Sequence, residues 1–480
     1  NMTLGTTPNP DGRIGALYYQ NNGTARTLTV EEDILIRNGG HGDGNNDGNL
    51  DYSTIEVLNG GSAGLVHTLK VNGNIVLQDK GQLDLVGDDA KAILEIGDES
   101  NNVFSQDGTS VVPDLYKIQM NKGTDTSSTF TFEDNFTLQG PTSGAGVDKA
   151  IDMQNGKLIF NDPNINVDLT TGDDDFYIPG TAGLEVRQGT ANAKGNSGIL
   201  LDGALDVTGG TVDMAGGDNY IEYSASGDAS IRVTAGELTV GSQIRRGLTS
   251  TEGILNYKQS GGTVIVGNDA APEGNRGVFE IVNDGSHFAH TGGDLYIARA
   301  QTNPSVASLY LDPQTTHFGE GSFIHFGHSN TPSDETMGIY SSVELPNVVV
   351  DNFDDSNPLL EQWTVPLTIT DSLEIDAGAT YDAKGLDLTM EGDLVANGTF
   401  SPSQNTTYFS GTRDQKIVGN TNFWNLTKDH NNTLTLDNAD ATVSNELRLQ
   451  AGIFDDGGHT LHAKGNVWMD ATHNHTGKSD

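Results

Sequence analysis

The chain has 480 residues, of which 66 are acidic and 25 are Lys or Arg, giving a formal net charge of −41 at pH 7, and it contains no cysteine. The lack of cysteine excludes disulfide scaffolds, thiol catalysts and Cys-ligated metal sites. The negative charge argues against a nucleic-acid partner, because DNA and RNA bind basic surfaces. No apolar run approaches the roughly 20 residues of a membrane helix, so we expect no direct membrane insertion.

Residues 1–60 are predicted to form an N-terminal cap or linker that carries an acidic loop. In "HGDGNNDGNLD" (41–51), side chains with oxygen atoms alternate with other residues, as at the start of a calcium-binding loop. Calcium takes six to eight oxygen ligands, and alternation in a tight loop can direct several toward one point. Thr54 stands where an EF-hand has its bidentate Glu. An ordinary acidic surface loop is the favoured interpretation, and the alternative is a Ca²⁺ site at Asp43, Asn45, Asp47, Asn49 and Asp51.

Residues 61–200 are predicted to form a first solenoid segment. Apolar and polar residues alternate in "LKVNGNIVL" (69–77), "LDLVG" (83–87) and "ILEIG" (93–97), and Gly, Asn or Asp interrupts each run. This is typical of short, half-buried strands bounded by turns. The 61 glycines of the chain disfavour long helices, in which each costs about 1 kcal/mol relative to Ala. We therefore predict an all-β protein.

Residues 201–345 contain the clearest internal repeat. "GGTVDM" (209–214) recurs in related form at 235–240, 261–266, 292–297 and 320–326, and the steps between the second positions of these copies are 26, 26, 31 and 28. A short strand cannot bury its apolar face alone, but it can do so when stacked on its equivalent in the next coil. The repeat predicts a right-handed parallel β-helix, or β-solenoid, with coils of about 26–31 residues. Tandem β-sandwiches, with a period of about 100 residues, are the alternative.

Residues 346–480 are predicted to be a solenoid with a longer repeat. The segment 367–395 is similar to 441–469; Leu373 corresponds to Leu447 at an offset of 74, and Leu388 to Leu461 at an offset of 73. We expect the unit to span about three coils. The chain begins Asn-Met-Thr without a signal-peptide pattern, and we interpret it as a processed piece of a longer protein.

The residues that catalysis would need are scattered along the chain. Predicted strands carry acids that could supply a carboxylate pair, and the chain has neither a G-x-S-x-G elbow nor a compact His–Asp–Ser grouping. Arg245-Arg246, the only adjacent basic pair, is interpreted as a solvated turn. Histidines three residues apart, as at 287 and 290, at 325 and 328, and at 459 and 462, would lie on strands rather than on a metal-binding helix. We predict a non-catalytic protein; the strand acids considered are Asp213, Glu222, Glu237 and Glu280.

The last part of the chain resembles the repeats of large Bacteroidota cell-surface adhesins. The residues that carry the resemblance are "GTF" (398–400), "FSG" (409–411), "QKIVG" (415–419) and "FWNL" (423–426). The middle "GGTVIVG" coils resemble those of autotransporter passengers. The resemblance implies a β-solenoid fold, a bacterial cell-surface location and export as a very large adhesin, often by type IX secretion, as in gliding-motility adhesins.

These observations together predict a segment of an extracellular adhesin or filament, a rigid rod that mediates attachment or gliding. Its expected partners are surface glycans, a substratum or other cells, and the secretion or motility machinery, with Ca²⁺ as the expected cofactor. A carbohydrate-active β-helix enzyme or a glycan-binding module is the alternative, and a self-assembling sheath subunit is a third. The charge of −41 would then form the solvated outer surface of the rod.

Overall fold

A computed structural model describes residues 2–4, 16–19, 23–37, 53–57, 64–141, 149–172, 174–193, 195, 197–223, 227–247, 253–270, 272, 274–438, 440–470, 472–474 and 478–479. The chain forms two compact units. The first unit comprises Asn1–Met214 and Ser226–Leu238, and the second comprises Ala215–Ala225 and Thr239–Asp480.

The strands of the first unit follow one another at short intervals. They are β1 (Met2–Leu4), β2 (Ala16–Tyr19), β3 (Thr27–Val30), β4 (Ile34–Arg37), β5 (Thr54–Val57), β6 (Leu65–Val71), β7 (Ile75–Gln78), β8 (Gln82–Asp84), β9 (Ala90–Ile96), β10 (Asn102–Gln106), β11 (Asp114–Leu115), β12 (Lys117–Asn121), β13 (Thr129–Phe132), β14 (Thr137–Leu138), β15 (Ile151–Phe160), β16 (Asn166–Asp168), β17 (Phe176–Ile178), β18 (Ala182–Val186), β19 (Thr190–Asn192), β20 (Ile199–Leu201), β21 (Ala204–Met214) and most of β23 (Asp228–Val240).

The second unit has the same character, with one short 3₁₀ helix at Phe353–Asp355. Its strands are β22 (Ile221–Tyr223), β24 (Ile244–Arg246), β25 (Ile254–Val266), β26 (Phe279–Ile281), β27 (His287–Ile297), β28 (Leu309–Leu311), β29 (Thr315–Phe326), β30 (Thr336–Ser341), β31 (Asn347–Val350), β32 (Leu359–Gln362), β33 (Leu367–Ile369), β34 (Ser372–Ile375), β35 (Thr380–Asp382), β36 (Leu388–Met390), β37 (Asp393–Ala396), β38 (Thr399–Ser401), β39 (Thr406–Phe409), β40 (Gln415–Val418), β41 (Thr421–Lys428), β42 (Thr433–Asp437), β43 (Ala441–Leu449), β44 (Ile453–Asp455), β45 (Thr460–Ala463), β46 (Asn466–Met469), β47 (Thr472–Asn474) and β48 (Lys478–Ser479).

Strands of the first unit pair in parallel rows, each of which takes one strand from every coil. One row runs β1, β4, β7, β10, β13, β15, β18 and β21. A second runs β3, β6, β9, β12 and β15, and a third runs β2, β5, β8, β11 and β14. The predicted parallel β-solenoid is therefore confirmed for this unit, and the alternative of antiparallel sandwiches is wrong.

Stacking places apolar side chains in continuous ladders inside the first unit. Ring centroids of Phe104 and Phe132 lie 5.5 Å apart, and those of Phe132 and Phe160 lie 6.3 Å apart. Each buried side chain of this size contributes about 1.5–3 kcal/mol to folding. Because only alternate residues point inward, this ladder explains the alternation in the sequence. Its members, each at most 1% exposed, are Ile34, Ile75, Phe104, Phe132, Phe160, Val186 and Val207.

The second unit is also a parallel β-solenoid. One row runs β25, β27, β29, β31, β34, β37, β40, β42, β44 and β47. Another runs β22, β24, β26, β28, β30, β32, β35 and β38. A third runs β33, β36, β39, β41 and β43 and continues into β45 and β46. The inward ladder of the first row is fully buried and consists of Val264, Leu295, Ile324, Val348, Leu373, Leu394, Ile417 and Leu436.

Coil length varies more than the internal repeat predicts. Ile34 pairs with Ile75 and Ile417 pairs with Leu436, so the first of these coils is more than twice as long as the second. Strand positions stay in register, so the difference lies in the turns between them. Turns run over the surface and tolerate insertion and deletion, whereas a strand in a stacked row does not.

The repeated Gly-Gly pairs mark a corner where successive coils touch. Gly262 and Gly293 have φ angles of 71° and 86°, in the left-handed region that favours glycine. A Cβ atom on Gly293 would lie 2.4 Å from the carbonyl oxygen of Gly262. The corner therefore has no room for a side chain, which explains why the repeat retains glycine.

The last copy of this repeat begins one position later than predicted. Gly292 pairs with Gly321, and Leu295 pairs with Ile324, so the equivalent of Gly293 is Ser322 rather than Gly321. The shift occurs just after His290, where the register of the strand pair changes. A β-bulge of this kind inserts a single residue without disturbing the ladder beyond it.

The similarity between 367–395 and 441–469 does not follow the rows of the solenoid. Leu373 pairs with Leu394 in one row, whereas its counterpart Leu447 pairs with Leu426 in another. Three coils separate Leu373 from Leu436, and Leu447 lies beyond them. The sequence repeat therefore spans three coils and part of a fourth, because any row accepts the same alternation of apolar and polar residues.

Buried polar side chains hold several turns together. In the second unit, Nε2 of Gln415 donates to two main-chain carbonyl oxygens of an earlier coil, at 2.9 and 2.8 Å. In the first unit, the fully buried Nζ of Lys122 donates to Gly97 O and Asn102 Oδ1, both at 2.6 Å. Burial lowers the pKa of Lys122 to about 8. Such bonds satisfy carbonyl groups that the coil would otherwise leave unpaired.

Candidate functional site

The predicted calcium loop lies outside the described residues, so that site stays a prediction for Asp43, Asn45, Asp47, Asn49 and Asp51. The nearby Glu56 lies in β5 and pairs with Asp84 in β8, which in turn pairs with Asp114 in β11. Burial, and then the charge of Asp84, raises the pKa of Glu56. Among the residues that the structure describes, no group of three or more His, Asp or Glu side chains is arranged to hold a metal ion.

The first histidine pair is divided between two faces of its strand. In β27, His287 points outward and contacts the side chain of Thr315, whereas His290 points inward and is fully buried. Nε2 of His290 lies 3.0 Å from Gly293 O. Burial lowers the pKa of His290 to about 4. This pair is therefore not a shared ligand site.

The second histidine pair packs around one tyrosine. The ring of His325 stacks on Tyr296 with centroids 4.4 Å apart, and the ring of His328 lies 5.2 Å from Tyr296. His325 also bonds two carboxylates, with Nδ1 2.8 Å from Asp351 and Nε2 3.3 Å from Asp294. Burial alone would lower the pKa of His325, but the bond and charge of Asp351 and the charge of Asp294 outweigh it and raise the pKa.

Two of the four strand acids considered for catalysis meet around three arginines in the second unit. Glu222 pairs with Arg245 across β22 and β24. Ile244 pairs with Phe279, which brings Glu280 of β26 beside Arg245. The other two acids, at 213 and 237, belong to the first unit.

We name these residues the Arg cluster: Glu222, Arg245, Arg246, Arg276 and Glu280. Arg245 Nε donates to Glu222 Oε2 at 3.1 Å, and Arg276 Nη1 donates to the same oxygen at 2.8 Å. Arg246 Nε lies 3.5 Å from Glu280 Oε1. Arg276 Nη1 also donates to the main-chain oxygen of Arg246 at 2.8 Å. The five side chains therefore form one connected group.

The sequence suggested a solvated turn for Arg245 and Arg246, but the structure does not place them on one. The side chains of Arg245 and Arg276 are 13% and 7% exposed, and that of Arg246 is 32% exposed. The guanidinium of Arg245 lies 3.8 Å from the centre of the Tyr220 ring, a cation–π contact. The prediction was wrong because Arg245 belongs to β24, which is packed between two neighbouring strands.

The cluster contains three guanidinium groups and two carboxylates. Burial raises the pKa of Glu280, although the main-chain N–H of Gly277 and the charge of Arg246 act against it. Burial, and then the like charge of Arg276, lowers the pKa of Arg245. Arg276 Nε is buried with no hydrogen-bond partner. The cluster is therefore short of hydrogen-bond acceptors. Shifted pKa values that cluster in one place are typical of functional sites.

Aromatic side chains continue the outward column beyond Glu280. Glu280 pairs with Tyr310, and Tyr310 with Tyr340. The two rings, which we name the tyrosine stack, have centroids 4.2 Å apart and are 14° from parallel. Burial raises the pKa of Tyr310, and Tyr340 and the charge of Asp312 raise it further, against the charge of Arg246. Trp363 follows in the next coil, where Cδ1 would lie 3.1 Å from a Cβ atom on Gly338.

The first unit has a charged group of the same composition, which we name the ion-pair network. Lys157 Nζ lies 2.6 Å from Asp206 and 3.9 Å from Glu185. Arg187 Nε lies 2.8 Å from Glu185, and Arg232 Nε lies 3.0 Å from Asp206. Burial would raise the pKa of Asp206, but the bonds from Arg232 and Lys157 outweigh it and lower the pKa.

The first unit also has one small cleft. A cleft of about 20 Å³ in the first unit, roughly the space of a single water molecule, is lined by residues that include Lys149, Asp152 and Tyr177. No helix among the described residues has the length and apolar character needed to cross a membrane.

Comparison with known proteins adds no family to this description: no protein-family model, curated protein or solved structure matches the chain.

Proposed function

We propose that the chain is a non-catalytic segment of an extracellular bacterial surface adhesin or filament and that it works by attachment. The observation that carries this proposal is a column of stacked strand positions in which Glu222, Arg245, Glu280, Tyr310 and Tyr340 follow one another from coil to coil. All of them except the buried Glu280 are partly exposed. Paired strands lie about 4.8 Å apart, so each column presents closely spaced side chains. Many weak contacts along such a surface add up through multivalency.

The sequence supports a cell-surface setting for this activity. Residues 395–461 resemble repeats of Bacteroidota surface adhesins that reach the surface by type IX secretion and include gliding adhesins. The net charge of −41 would keep neighbouring chains from associating. Surface glycans, a substratum and other cells are the proposed partners, along with the secretion or motility machinery.

Attachment can be tested by coupling the chain to beads at increasing density. We expect retention on polysaccharide-coated glass to rise more steeply than in proportion to chain density, because each added contact binds within an already tethered bead. The measurement is the fraction of beads retained under flow. Equal retention of beads coated with the chain and beads coated with albumin would contradict the proposal.

Calcium binding by the loop at 41–51 remains part of the proposal. EDTA is expected to lower the melting temperature of the chain, and Asp47→Ala is expected to abolish that effect, since a bound ion stabilises only the folded state. Asp228→Ala, at an exposed acid of the first unit, is the matched control. A melting temperature that EDTA leaves unchanged would contradict the site.

An enzyme that acts on carbohydrate is the second candidate, favoured by one observation. Glu222 pairs with Arg245 and Arg276, and Glu280 pairs with Arg246, so both acids belong to the Arg cluster. Glycosidases use a pair of carboxyl groups. Release of reducing ends from polysaccharides by the chain, lost in Glu280→Gln, would establish the enzyme and contradict the non-catalytic proposal.

A further inference from the structure

We propose that the Arg cluster and the tyrosine stack together form a binding site for an acidic saccharide, that is, a short glycan with uronate carboxylates. This inference rests on the proposed function in attachment and names the ligand class that one region of the surface would take.

The local positive charge of the Arg cluster favours an anionic ligand. A chain with a net charge of −41 repels anions over most of its surface. In the Arg cluster, however, three guanidinium groups face two carboxylates. Guanidinium groups bind carboxylates through paired, charge-assisted hydrogen bonds. An incoming carboxylate would therefore supply the acceptor that the cluster lacks.

One guanidinium nitrogen of the cluster lacks a hydrogen-bond acceptor. Arg276 is only 6% exposed, and its Nε is buried with no hydrogen-bond partner. A buried donor without a partner is unfavourable, and a ligand oxygen that reached Arg276 would supply the missing acceptor. Arg246, at 32% side-chain exposure, lies at the edge of the group and gives an anion access to it.

The tyrosine stack provides an aromatic surface beside the Arg cluster. Tyr310 and Tyr340 are half-buried and continue the same column as Glu280. Tyrosine combines an apolar ring with a hydrogen-bonding hydroxyl, which matches the mixed apolar and hydroxylated surface of a sugar. A bare anion such as sulfate would use the arginines but not these rings.

The charge of the whole chain limits the ligand further. Nucleic acid carries one charge about every 1.7 Å along the duplex and would be repelled beyond the small Arg cluster. A uronate glycan carries at most one charge per sugar, so a single carboxylate can enter the cluster while the ring of a neighbouring sugar contacts the tyrosine stack. The observations therefore favour an acidic saccharide over a dense polyanion.

The test measures binding of three uronate-containing tetrasaccharides, derived from hyaluronan, alginate and polygalacturonate, by calorimetry with the full chain. At least one should bind roughly tenfold more tightly than its carboxyl-reduced, neutral form, since a charged hydrogen bond contributes about 1.5–3 kcal/mol. Sodium sulfate is the bare-anion arm. Failure of all three to bind, or binding of sulfate as tight as that of the best tetrasaccharide, would overturn the proposal.

Variants locate the site. Arg246→Gln should weaken the acidic tetrasaccharide roughly tenfold and leave the neutral form unchanged, whereas Tyr340→Ala should weaken both. The matched control is Arg187→Gln, which removes a partly exposed arginine from the ion-pair network and should leave Kd unchanged. Equal Kd values for Arg246→Gln and the wild type would overturn the site. Bead retention that survives in Arg246→Gln would then show that attachment stands without it.

Discussion

The Arg cluster and the ion-pair network have equal numbers of basic and acidic side chains, but the pKa values of their groups shift in opposite directions. Each brings together three basic side chains and two carboxylates from stacked strands and the turns beside them. In the network, bonds from Arg232 and Lys157 lower the pKa of Asp206, and Asp206 raises the pKa of Arg232. In the cluster, burial raises the pKa of Glu280 and lowers that of Arg245.

The difference shows what decides whether stacked charges stabilise a solenoid. Each carboxylate of the network is shared by two basic side chains. The charged form of Asp206 therefore gains more from its partners than it loses to burial. In the cluster, two arginines share one oxygen of Glu222, and the Nε of Arg276 has no acceptor. We infer that the network serves stability and the cluster serves binding.

The largest expected effect comes from breaking the network. Asp206→Asn leaves Lys157 and Arg232 without their shared carboxylate and should lower the free energy of unfolding by about 3 kcal/mol, as expected when one partner of a mostly buried ion pair is removed. Denaturant titration measures the change. Asp228→Asn, at an exposed acid in the same unit, should change the value by less than about 0.5 kcal/mol. Equal effects of the two variants would contradict the role of the network.

Lys122 provides a third case, a buried charge whose two hydrogen bonds go to neutral oxygens. Burial lowers its pKa from 10.5 to about 8, so between these pH values the unfolded chain binds the proton more tightly than the folded chain. Stability of the wild type relative to Lys122→Met should therefore rise, by on the order of 2–3 kcal/mol, as the pH increases through this window. A difference in unfolding free energy that stays constant from pH 7.5 to pH 10.5 would disprove this.

Glu280→Gln should have the smallest effect on stability. At pH 7 we expect a change below about 1 kcal/mol, because the cost of burying the carboxylate offsets much of its gain from Arg246. Its raised pKa means that the wild type loses stability as the pH rises above 4.5, whereas the variant does not. The variant should thus be relatively more stable at pH 7 than at pH 4, measured by thermal unfolding. The opposite trend would mean that Glu280 is a structural ion pair like Asp206.

The fold was largely predictable from the sequence, because stacking leaves a direct mark on it. Alternation in runs such as 69–77 and the recurrent Gly-Gly pairs follow from inward ladders and from the close corner at Gly262 and Gly293. Both signals are local, so they survive variation in the turns.

The Arg cluster was not predictable, because its members come from coils of unequal length. Glu222 pairs with Arg245 across a short coil, whereas Ile244 pairs with Phe279 across a longer one. The longer turn before Phe279 changes the sequence offset between paired residues, so no fixed period aligns the arginines with their acids. The one sequence signal was the adjacent Arg245-Arg246 pair in a strongly acidic chain.

The most direct test of the distinction between the two charged groups measures two quantities on two variants. For Asp206→Asn and Arg246→Gln, the free energy of unfolding and the Kd for the best-binding uronate tetrasaccharide are determined in parallel. We predict that Asp206→Asn loses stability and retains binding, and that Arg246→Gln loses binding and retains stability. Loss of the same quantity in both variants would contradict the assignment of stability to the ion-pair network and binding to the Arg cluster.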